Sequence, residues 1–83
     1  MYVSVFELKQ GVLAFLNSTE AIYSPSLNAT AQRSLKRLTN LNRNSLSMVE
    51  IYNLIFDCTV LHWQKDQTTQ QLIQYILGGI KYV

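Results

Sequence analysis

Acidic residues are scarce in this chain. Only five of its 83 residues are Asp or Glu, and none lies between Glu20 and Glu50. Lys and Arg together number seven, so the net charge is only +2, too small to mark a nucleic-acid-binding protein. A single cysteine excludes an internal disulfide framework and a multi-cysteine metal site. A reducing, cytoplasmic setting is the simplest reading of that shortage. No uninterrupted apolar run reaches the length of a membrane span. The apolar N-terminal segment is broken by Glu7, Lys9 and Gln10 and has no basic flank, so it does not read as a signal peptide. Without one, the glycosylation sequons at Asn17 and Asn28 carry no weight. Internal repeats, low-complexity tracts and useful strand-like alternation are missing as well. What remains is one small domain, 1–83, with little room for a catalytic cleft, and a non-enzymatic role is expected.

Apolar residues make up 48% of the chain and aromatics 11%, enough to build a core. Helical spacing of Val5, Leu8, Val12, Phe15 and Leu16 predicts a first helix over 4–16, with Gly11 inside it at a cost of about 1 kcal/mol relative to Ala. Asn17-Ser18-Thr19 opens a loop whose clearest breaker is Ser24-Pro25-Ser26. A second helix is expected over 29–41, with Ala31, Leu35, Leu38 and either Leu41 or Leu27 turned inward. Asn40, Asn42 and Asn44 then crowd a short loop. The stretch 46–63 is apolar around most of a helix, with Glu50, Asn53 and Asp57 forming one narrow polar stripe. Such a helix needs neighbours on more than one side, so it is expected at the centre. Ser47 and Glu50 have the spacing of a capping box, with Ser45 as a competing cap. A last helix over 68–77 buries Leu72, Ile73, Ile76 and Leu77 and ends at Gly78-Gly79. The expected fold is all-α, a small bundle of about four helices with a central third helix.

Two of these stretches resemble a known family. Leu41-Asn42-Arg43-Asn44-Ser45-Leu46-Ser47, followed by Val49-Glu50-Ile51, is similar to the signature of acyl and peptidyl carrier proteins. Thr68-Thr69-Gln70-Gln71-Leu72-Ile73-Gln74-Tyr75-Ile76 looks like that family's last helix. The resemblance implies a 4′-phosphopantetheine arm on Ser45, carrying an acyl or aminoacyl group as a thioester. It also implies a phosphopantetheinyl transferase and acyl-handling enzymes as partners. Leu46, Met48 and Val49 would form the face those enzymes grip, or else simply pack in the core. Asn42 and Arg43 depart from the family's pattern, as does the absence of acids around Ser45. For Ser45 itself the plainer role is a helix cap, whose place beside free amides and the positive end of a helix dipole also suits a phosphate.

Arg33, Lys36, Arg37 and Arg43 form the one basic patch, either a solvated face or a docking surface for an acidic partner or a nucleic-acid backbone. Cys58 and His62 share a helix face by spacing, but two ligands do not make a zinc site, and no orienting group identifies a nucleophilic pair. A small buried hydrophobe beside a partly exposed His is the plainer reading, and Trp63 reads as a packing residue. Against the carrier stands a different class of function, a small helical interaction or regulatory module. It would work through an apolar face, a homo-oligomer or the basic patch.

Overall fold

The computed structural model describes residues 1–59 and 64–78. In chain order the elements are β1 (Tyr2–Ser4), α1 (Val5–Leu16), α2 (Thr19–Tyr23), α3 (Pro25–Thr39), β2 (Ser45–Ser47), α4 (Met48–Cys58) and α5 (Lys65–Gly78). The fold is an all-α bundle of four longer helices with a short helix and a ribbon added.

Helix α1 forms where the periodicity places it. Ser4 caps it by accepting the Glu7 N–H at 3.3 Å, and Val5, Leu8, Val12 and Phe15 are buried. Gly11 lies where α1 crosses α5. A Cβ built there would sit 2.9 Å from the carbonyl oxygen of Ile76, so the two backbones approach as closely as they do because no side chain intervenes.

Beyond α1 the expectations need three corrections. The segment read as a loop contains α2. Pro25 is not a breaker but the first residue of α3, which begins four residues earlier than expected. Its fixed φ and missing N–H suit a first helical position. Helix α3 buries Leu27, Thr30, Ala31, Ser34 and Leu38. Its two buried hydroxyls are satisfied locally: Thr30 donates to Ser26 O at 2.9 Å and Ser34 to Thr30 O at 2.8 Å.

The third correction is the ribbon. β1 and β2 pair antiparallel, with Tyr2 opposite Ser47, Val3 opposite Leu46 and Ser4 opposite Ser45. Val3 and Leu46 point into the core, at 4% and 3% exposure, while their neighbours face outward. Helix α4 therefore starts at Met48, not at 46. The Ser47–Glu50 capping box is present: Glu50 N–H donates to Ser47 Oγ at 3.2 Å, and Ser47 N–H donates to Glu50 Oε1 at 2.9 Å.

Helix α4 lies against α3 and α5, and its Ile51, Leu54 and Ile55 converge with Leu8 and Val12 of α1 on a void of only about 10 Å³. Its main neighbours are α3, α5 and β2, whereas α1 is the helix packed against α2, α3, α5 and β1. The cover of α4 is incomplete: Val49 is 70% exposed. At Thr59 the backbone turns extended, and any continuation of the expected helix over 60–63 lies outside the described residues. Thr59 and Thr69 hydroxyls meet at 3.3 Å, fastening the end of α4 to the first turns of α5. Helix α5 begins at Lys65, three residues before the expected start, and buries Thr68, Thr69, Leu72 and Ile76.

Candidate interaction face

Ser45 sits in β2, not in a helical turn. It is half-buried and faces Ser4 across the ladder, three residues ahead of Met48. At the start of α4 the Ser47 hydroxyl takes the Glu50 N–H, and the Glu50 carboxylate takes the Ser47 N–H. The helix's own cap thus takes two of the amides that the resemblance would offer to a phosphate, and it is built on Ser47, not on Ser45. Ser45 thus lies outside the first helical turn in which the resemblance places it.

Leu46, expected on a recognition face, belongs to the core instead. Strand alternation turns it inward, where a helix would have given it a different heading. Met48 is half-buried and Val49 stands out into solvent, so these two remain available for contact.

The basic patch is divided. Arg43 forms a two-pronged ion pair with Glu50, and Arg37 lies 3.8 Å from Asp57. The Arg43 guanidinium, followed by the Ser47 N–H, holds the Glu50 carboxyl down at about 2, well below the usual range. Among the described residues no acid pairs with Arg33 or Lys36, which stay exposed on α3. Half of the expected docking patch is thus spent on holding α4 to the segments around it.

A groove between α4 and α5 was not foreseen. Met48, Val49 and Tyr52 from α4 and Gln70, Ile73 and Gln74 from α5 enclose about 370 Å³, with almost no polar surface in the lining. Tyr52 is held at its rim by a hydrogen bond to Asp66, which raises its pKa, and its ring stacks on Phe56 at 5.7 Å. Lys65 lies 4.6 Å above the Phe56 ring, so the charged groups sit at the end of the groove and not within it. A second hollow lies on the other flank of α5, bounded by Leu27, Gln71, Gln74 and Tyr75. There Tyr75 packs on Phe15 at 5.2 Å between ring centres. Helix α5 is the ridge between the two hollows.

Cys58 is buried and unpaired, as a small core residue would be. His62, Trp63 and the tail 80–83 lie outside the described residues. Among the described residues no group of three or more His, Cys, Asp and Glu could hold a metal ion, and no helix is long and apolar enough to cross a membrane. No family model, curated protein or solved structure matches this chain.

Proposed function

We propose that this chain is a non-catalytic helical module that docks an apolar, uncharged helical surface of another polypeptide in the groove between α4 and α5. The observation that carries this reading is the groove itself: apolar side chains Met48, Val49 and Ile73 line a concave surface next to the best-exposed aliphatic residue of α4. Helix-in-groove docking uses this combination of apolar wall and polar rim. The glutamines at the edge can hydrogen-bond a partner's backbone or side chains without requiring an opposite charge. The basic patch supports a docking role less well, since Arg37 and Arg43 already have acidic partners.

The test compares two exposed aliphatic positions of similar standing, Val49 at 70% and Ile22 at 74% exposure. Wild type and Ile22→Asp should retain the same bound protein, and Val49→Asp should lose it. Equal retention by Val49→Asp would refute the groove. A carrier would be revealed by a separate measurement. Incubation with a broad-specificity phosphopantetheinyl transferase would add the mass of the arm to wild type and not to Ser45→Ala. The docking module predicts no added mass.

A further inference from the structure

We draw no further inference here: the strongest candidate, the apolar groove between α4 and α5 lined by Met48, Val49, Tyr52 and Ile73, belongs to the site already described, and nothing in the structure shows what covers it.

Discussion

Arg43 and Glu50 meet as two forks across the length of β2, each guanidinium Nη atom donating to one carboxylate oxygen. One of those oxygens also accepts the Ser47 N–H at 2.9 Å. A single carboxylate thereby joins the loop ahead of the ribbon to the first turn of α4.

Acid should loosen this junction in a defined window. Glu50 has its pKa lowered from 4.5 to about 2 in the fold, so its contribution is complete above 4.5 and is lost as pH falls toward 2. The melting temperature of wild type should drop across that window. Glu50→Gln, with no carboxylate to protonate, should show a shallower fall, and added salt should narrow the difference because the pair is exposed. Parallel melting curves for the two proteins would refute the assignment.

Gly11→Ala should destabilise the protein although alanine is the better helix former. The added methyl meets the Ile76 carbonyl at 2.9 Å and its Cγ2 at 2.8 Å, and prising α1 from α5 should cost about 1–3 kcal/mol. Gly78→Ala meets nothing within 4 Å and should be neutral or mildly stabilising. Urea unfolding of both variants separates the two effects.

Truncation should follow burial. Ile51→Ala and Ile55→Ala, each 2% exposed, should cost about 2–5 kcal/mol, and half-buried Leu54→Ala less. A domain of this size has only about 5–10 kcal/mol to lose, so either isoleucine change should leave a measurable unfolded fraction. Val49→Ala should stay within about 0.5 kcal/mol of wild type. A large loss at Val49 would mean that the exposed face of α4 is covered within the monomer.

Leu46→Ala should behave as a core change, with a loss of about 2–5 kcal/mol, while Met48→Ala costs less. Thermal melts that ranked Met48 above Leu46 would show that β2 does not turn Leu46 inward.

The parts of this structure that the sequence revealed are those in which cause and effect lie within a few residues. The apolar period of α1, the Ser47–Glu50 box and the burial of Leu72 and Ile76 in α5 all depend on neighbours three or four places away, whereas the buried Thr68 and Thr69 of α5 do not show in that period. Pro25 reads as a breaker because its two roles, breaker and first helical residue, look alike until the following helix is known. Three-residue strands are too short to show a period of two, and their partners lie far away in the chain, so the ladder that holds Ser45 and Leu46 is not legible in the sequence. Arg37 reads as free because its acid, Asp57, comes from another helix. The glutamine face of α5 is plain in the sequence, but its meaning depends on the groove beside it, which only packing with α4 creates.

The ribbon has a kinetic consequence. Its strands lie more than forty residues apart, so forming it from an open chain carries a loop-closure cost of roughly 3 kcal/mol. Three ladder positions, at about 1 kcal/mol per backbone hydrogen bond, do no more than balance that cost. The strands should therefore meet most readily after α1 and α3 have packed and drawn the ends together. Burial of Val3 and Leu46 then belongs to the descent from the transition state, so truncating Val3 should accelerate unfolding and leave the folding rate nearly untouched. The place where α4 acquires its start should then be among the last to close during folding and among the first to open.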